Sequence, residues 1–350
     1  MKKLYQPILI LSLLAFTFQL NAQDPRFSQF YASPYTLNPA LTGVFNGQCR
    51  TTVNYRDQWN SVLNSVPFRT YAVSGEYRRA LASDDYVAFG IGALHDDVGT
   101  ARYQQNKAHL AFSFLKQLSG GRNRTEHYLS AGAQVGFGQN SIDWSRLWFS
   151  RQYDANTEQP DLGAGNGETF GAGNTPLYPD FNAGLLWYMI FDNGGFFYLG
   201  GSAHHLTEPK ITFMQTNNSV LYRRWSGQIG GQLPVSEVLS ILPAVQVMKQ
   251  GPSFETDLGF NIRYSNNDLN ELALRAGAFT RIGNRLNRGI QADAVTIVTM
   301  LEMNRFMVGL SYDLTVSSLK RANNARGAFE VSLTYVHPEH RRSKVTCPKF

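Results

Sequence analysis

Between about Gln48 and His337 the chain alternates apolar and polar residues with a period of two, in one short segment after another. In Phe254–Tyr264, the residues Phe254, Leu258, Phe260, Ile262 and Tyr264 share one face, and Glu255, Asp257, Asn261 and Arg263 share the other. Successive side chains of a strand point to opposite sides, so such a segment has one apolar and one polar face. Phe329, Val331, Leu333 and Tyr335 alternate in the same way with Glu330, Ser332 and Thr334. The pattern predicts strands over residues 48–57, 68–79, 85–96, 105–118, 124–138, 180–191, 196–205, 221–233, 238–249, 253–264, 269–280, 289–301, 305–315 and 326–337. Segment Val238–Val247 is nearly continuous in apolar residues and carries Pro243, which argues against a central strand.

The connections alternate as well. Every second one is short, near Leu81-Ala82-Ser83, Gly120-Gly121, Asp192-Asn193-Gly194-Gly195, Pro234-Val235-Ser236-Glu237, Ser265-Asn266-Asn267-Asp268 and Glu302-Met303-Asn304. Those between them are mostly longer, the longest running from about Gln139 to Pro179, with one short exception at Gly251-Pro252. Outer-membrane barrels have short periplasmic turns and longer outer loops, and a tilted strand of about ten residues crosses the bilayer. The pattern therefore predicts an all-β fold: a closed antiparallel up-and-down transmembrane β-barrel of about fourteen strands, in the bacterial outer membrane with both termini periplasmic.

Residues 1–22 read as a signal peptide: Met1-Lys2-Lys3, an apolar stretch from Ile8 to Leu20, and a small-residue site ending at Ala22. The mature chain then starts at Gln23, and with Gln and not Cys directly after that site a lipoprotein is not expected. The domains are a periplasmic or luminal segment over 23–47, the barrel over 48–337 and a periplasmic tail over 338–350. A mean hydropathy of −0.27 with 31 glycines suits a barrel with a wet lumen and not a helical membrane protein. The formal charge of +6 includes Lys2 and Lys3 and is evenly spread, so no nucleic-acid partner is implied.

Candidate chemistry is sparse. Cys49 and Cys347 are the only cysteines; the first and last strands of such a barrel are neighbours, so a disulfide would staple the seam in an oxidising compartment. His204 and His205 are adjacent in a strand and face opposite ways, and His337-Pro338-Glu339-His340 lacks a helix to align ligands, so no metal site is expected. Leu162–Gly173 is glycine-rich but has no Lys-Ser/Thr ending, and no Gly-x-Ser-x-Gly elbow occurs. No catalytic residue and no cofactor follow, and the chain reads as a non-enzyme. The longest loop holds Trp144 and Trp148, which either plug the lumen or meet a partner outside. Arg341 and Arg342 belong to a basic tail that is either solvated or a docking strip for an acidic partner. Inward Arg56, Arg78, Glu76, Glu255, Asp257, Arg263, Glu271 and Arg275 are expected to pair across the lumen and occlude it, since unpaired buried charge is costly.

The stretch Gln23-Asp24-Pro25-Arg26-Phe27-Ser28-Gln29-Phe30-Tyr31, with Leu37-Asn38-Pro39-Ala40 and Thr42-Gly43, resembles the opening of the PorP/SprF family, outer-membrane proteins of the type IX secretion system in Bacteroidota. Tyr55-Arg56-Asp57-Gln58-Trp59, Phe68-Arg69-Thr70-Tyr71, Ser311-Tyr312-Asp313, Gly327-Ala328-Phe329-Glu330 and the Cys347-Pro348-Lys349-Phe350 ending continue the resemblance in order. It implies a barrel in the outer-membrane lipid that assists export or surface attachment of cargo with a class of C-terminal signal domains, such as gliding adhesins. It also implies association with periplasmic or outer-membrane components of that system. The family has no catalytic set to carry over. Phe27, Phe30, Tyr31, Asn38 and Pro39 are held as partner-contact candidates together with the two loop tryptophans and the two tail arginines. A passive channel or uptake porin for small solutes is the competing function.

Overall fold

The computed structural model describes residues 23–338 apart from 64–65, 67, 82–83, 122–123, 155–156, 162, 165–172, 214–218, 266–271 and 286–288. Fourteen antiparallel strands close on themselves. They are β1 (Cys49–Gln58), β2 (Phe68–Ala80), β3 (Tyr86–Val98), β4 (Tyr103–Gly121), β5 (Arg124–Ser141), β6 (Tyr178–Ile190), β7 (Phe196–His204), β8 (Arg224–Pro234), β9 (Leu239–Gln250), β10 (Ser253–Ser265), β11 (Leu272–Asn284), β12 (Ile290–Met303), β13 (Phe306–Thr315) and β14 (Arg326–His337). Each pairs with its sequence neighbours, and β1 closes on β14 in a register running from Cys49↔His337 to Gln58↔Ala328. Among the described residues no helix is long and apolar enough to cross a membrane; the chain crosses with strands.

The alternation read in the sequence sets the two faces. In β10, Phe254, Leu258, Phe260, Ile262 and Tyr264 are exposed on the outer wall, while Glu255, Asp257 and Asn261 are buried inside. β1, β2, β3, β13 and β14 repeat the arrangement. This is the pattern of a wall between lipid and a polar interior.

Pro243 lies inside β9 all the same. The ladder to β8 lapses at that level, passing from Gly230↔Ala244 to Leu233↔Ile241, so the missing N–H of Pro243 leaves no partner unmet, and on the other side Pro243 sits opposite Phe260 of β10.

The strand ends flanking 81–85, 122–123, 191–195, 235–238, 266–271 and 304–305 lie at one end of the barrel, the short-turn end. Those flanking 59–67, 99–102, 142–177, 205–223, 251–252, 285–289 and 316–325 lie at the other, the long-loop end. The turn at Gly251-Pro252 is short as expected, and Gly251 there takes φ +54. The 99–102 connection is tighter than the sequence suggested because β4 begins at Tyr103.

The core lies in the barrel interior. Residues 23–47 run through the lumen as short helical turns over Phe30–Ala32, Pro34–Leu37 and Pro39–Leu41. Their Phe30, Tyr31, Leu37, Leu41 and Val44 join wall residues such as Leu115, Leu186, Phe279 and Met300 in one buried apolar cluster. β1 starts and β14 ends at the short-turn end, whereas Gln23 lies at the long-loop end, beside Gln58 and Tyr103.

Candidate functional site

A segment without strand partners has to satisfy its backbone polar groups in some other way when buried. Inward side chains of the wall do this for the luminal segment. Asn54 donates to the Ala32 carbonyl (3.1 Å), Gln134 to that of Tyr35 (3.0 Å), Ser202 to that of Leu37 (3.0 Å), Ser130 to that of Ala40 (2.7 Å) and Ser113 to that of Thr42 (2.6 Å). Asn38 uses its whole amide: Oδ1 accepts the Ala40 N–H (2.9 Å), and Nδ2 donates to the carbonyls of Leu185 and Gly201 (3.2 Å each). The wall yields space there, because a Cβ at Gly184 would overlap Asn38 Oδ1 and one at Gly132 would overlap the Pro39 carbonyl.

Charged groups hold the segment at three places. On the β1, β13 and β14 side, Glu330 accepts the N–H groups of Ser28 (2.7 Å) and Gln29 (2.9 Å) and pairs with Arg56 (3.2 Å). Asp313 pairs with Arg56 (2.8 Å) and Arg281 (3.0 Å) and accepts from Thr296 (2.7 Å). Ser28 Oγ donates to Asp313 (2.8 Å) and accepts from Arg281 (2.8 Å), so one hydroxyl joins plug and wall in both senses. Arg281 also pairs with Asp257 (3.1 Å), and Arg26 pairs with Glu255.

Near the long-loop end Asp24 is paired with Lys107, with His205 (2.6 Å) and with Arg224 (3.1 Å), and its backbone N–H donates to Gln250 (3.0 Å). His205 bridges on to Asp180 (2.8 Å), which also holds His109 (2.8 Å). At the short-turn end Arg50 pairs with Glu76 (2.8 Å) and donates to the carbonyls of Leu41 (3.1 Å) and Val44 (3.2 Å), while Gly43 donates to Glu76 (2.9 Å). Arg78 lies over the rings of Tyr86 (4.6 Å) and Phe45 (5.6 Å).

Four motif stretches that are far apart in sequence thus converge on one cluster, Ser28, Arg56, Asp313 and Glu330. All the inward charges named from the sequence and lying within the described residues face the lumen, with Arg263 and Arg275 sharing Glu302; Glu271 lies outside the described residues. Phe27, Phe30, Tyr31, Asn38 and Pro39 are buried, and what they touch is the barrel's own interior. The element that fills the lumen is this N-terminal segment. None of the described residues of 142–174 is buried; Trp144 meets Phe213 edge-on (5.7 Å), and Trp148 is exposed at the mouth. Cys49 is half-buried at the start of β1, and Cys347, Arg341 and Arg342 lie outside the described residues, as does the expected signal peptide.

Two readings change. His204 and His205 are both buried inside, because the strand ends at His204 and His205 takes φ 56, which turns its ring back toward Asp180. Arg281 was missed by the sequence pattern: β11 runs on to Asn284 instead of stopping at residue 280, and this carries Arg281 inward. Among the described residues no cluster of His, Cys, Asp or Glu is arranged to hold a metal ion.

Among the described residues, a cavity of about 50 Å³ lies between plug and wall beside Asp24 and His205, and one of about 20 Å³ beside Tyr31 and Arg275. Each holds at most a few waters. A vestibule of about 310 Å³ opens at the long-loop mouth over Arg26, Arg56 and Asp96.

A family model described as type IX secretion system membrane protein PorP/SprF matches residues 19–335. No curated protein matches the chain. Solved structures similar to it include the CymD monoaromatic hydrocarbon channel (13% identity over 89% of this chain and 94% of that chain, TM-score 0.46). The Ralstonia pickettii toluene transporter TbuX is similar at 10% identity over 88% and 94%, with TM-score 0.48, and a Pseudomonas aeruginosa FadL homologue at 11% over 85% and 92%, with TM-score 0.44.

Proposed function

We propose, for a chain that belongs to the PorP/SprF family of type IX secretion system membrane proteins, a non-enzymatic accessory role in export or surface attachment of cargo proteins. The observation that carries this reading is the filled lumen. A barrel whose interior holds its own residues 23–47, ion-paired to the wall at Asp24 and hydrogen-bonded to Glu76 and Arg50 at Gly43 and Val44, has a largely filled centre. Its contribution to export then lies at its surfaces. On this reading the long-loop end, with exposed Trp148, faces outward and meets cargo bearing C-terminal signal domains, gliding adhesins among them. The short-turn end faces the periplasm and meets other components of the secretion system, with the basic tail at 338–350 as one contact. On this reading Cys49, at that same end, is stapled to Cys347 of the tail.

The same observation weighs against the passive-channel reading, which needs an open pore. The test is deletion of the gene, complemented by the wild-type chain or by an empty vector. The accessory role requires loss of large surface adhesins from the cell surface with outer-membrane integrity intact. Unchanged adhesin export, with loss of uptake of a small solute, would favour the channel.

A further inference from the structure

The outer wall carries an indentation over β1–β5 that is graded from polar to apolar along the strands. Register puts Tyr55, Tyr71, His95, Asn106 and Gln139 of β1–β5 side by side in one outward row. Two residues nearer the short-turn end the outward row is Val53, Val73, Ala93, Ala108 and Phe137. Two residues nearer the long-loop end the row is Asp57, Arg69, Asp97, Gln104 and Ser141, charged over β1–β3, with Arg69 paired to Asp57 (3.4 Å) and Asp97 to Arg102 of the next connection (2.9 Å). At about 3.3 Å per residue, each step is about 7 Å along the wall.

The two alanines make the floor, Tyr71 and Val73 stand on one side, and Phe137 and Leu177 on the other, enclosing a groove of about 520 Å³. Its lining is chiefly apolar side chain, yet His95 Nδ1 and Asn106 Oδ1 hydrogen-bond to each other (2.7 Å) at its upper edge. The groove runs on without a break into the membrane-facing band, where Ile91, Leu110, Phe89 and Phe112 are exposed on the same strands.

We infer that this groove is a binding site for one membrane lipid of the leaflet at the long-loop end. Its acyl chain lies over Ala93 and Ala108, and its polar head group reaches the His95–Asn106 pair and the charged row beyond. The order charged, polar, apolar is that of a lipid standing along the bilayer normal, and the groove opens where hydrocarbon already covers the wall.

Replacement of Phe137 by p-benzoylphenylalanine puts a photo-reactive ring on the groove's edge, and the same replacement at Leu258, exposed on β10 near the same end of the barrel, serves as a control on the open wall. Irradiation in native membranes should give adducts dominated by one lipid class at 137 and the bulk mixture at 258. The same mixture at both positions, a polypeptide adduct at 137, or no adduct at 137 when 258 reacts, overturns the site. In parallel, Ala108→Trp fills the floor. Lipid retained on the detergent-purified barrel should then fall at least about fivefold, the ratio that 1 kcal/mol of lost contact gives; equal retention by a folded variant also overturns it.

Discussion

Arg56 and Glu330 face each other across the seam that closes the barrel, and the same Glu330 carboxylate accepts the N–H groups of Ser28 and Gln29 from the luminal segment. Closure of the wall and seating of the plug therefore share one buried group. A barrel that closes without the plug leaves Glu330 with fewer partners, and a plug without the seam has nothing to grip.

Glu330→Ala breaks this relationship while leaving Arg56 buried beside Asp313. Removing one member of a buried ion pair costs about 3–5 kcal/mol, whereas replacing both by apolar residues costs much less. The heat needed to convert the folded barrel to its slow-migrating unfolded form should fall clearly for Glu330→Ala. The double variant Arg56→Met/Glu330→Leu should recover part of that loss. A loss in the double variant equal to the sum of the losses of Arg56→Met and Glu330→Leu made singly would mean the pair has no mutual stabilising role.

Gly184 gives the plug its closest approach to the wall. Gly184→Ala pushes a methyl group into Asn38 Oδ1, and the amide cannot retreat without losing the bonds that Nδ2 donates to the Leu185 and Gly201 carbonyls. Overpacking of this kind costs about 1–3 kcal/mol. The expected result is a barrel that still assembles but in which residues 23–47 become sensitive to protease. Resistance equal to that of the wild type would show that the contact relaxes freely.

The direction of the plug yields a labelling prediction. Asp24 contacts Lys107, His205, Arg224 and Gln250, all close to the long-loop end, although β1 starts at the opposite end. A short epitope inserted between Ala22 and Gln23 should react from the same side of the membrane as a cysteine placed at Trp148. Reaction from the opposite side contradicts this path.

Cys49 opens β1 next to His337, the last residue of β14, about ten residues before Cys347 in the chain. A staple between the two cysteines predicts that neither is alkylated in purified protein until a reductant is added. Reaction of both without reductant removes the staple.

Much of the wall was legible because a two-residue period is imposed by lipid on one side and polar contents on the other. β10 and β14 were read nearly residue for residue, and the inward charges of β1, β2, β10 and β11 with them. What fills the lumen is left open by the sequence, because residues 23–47 read as either a periplasmic or a luminal segment. The plug has no period: its turns over Phe30–Leu41 are held by wall side chains hundreds of residues away, such as Glu330 and Ser202. Its aromatic and Asn-Pro residues therefore looked like surface contacts. His205 was misread for a local reason, since a single left-handed residue at the end of β7 reverses the face that alternation assigns. Arg281 was lost to a strand end placed too early.

The occluded lumen is tested most directly by single-channel recording in planar bilayers of the wild-type barrel beside a variant lacking residues 26–44. The account predicts a closed wild type and large, steady conductance once the plug is gone. Large, steady conductance in the wild type, unchanged by the deletion, would contradict it.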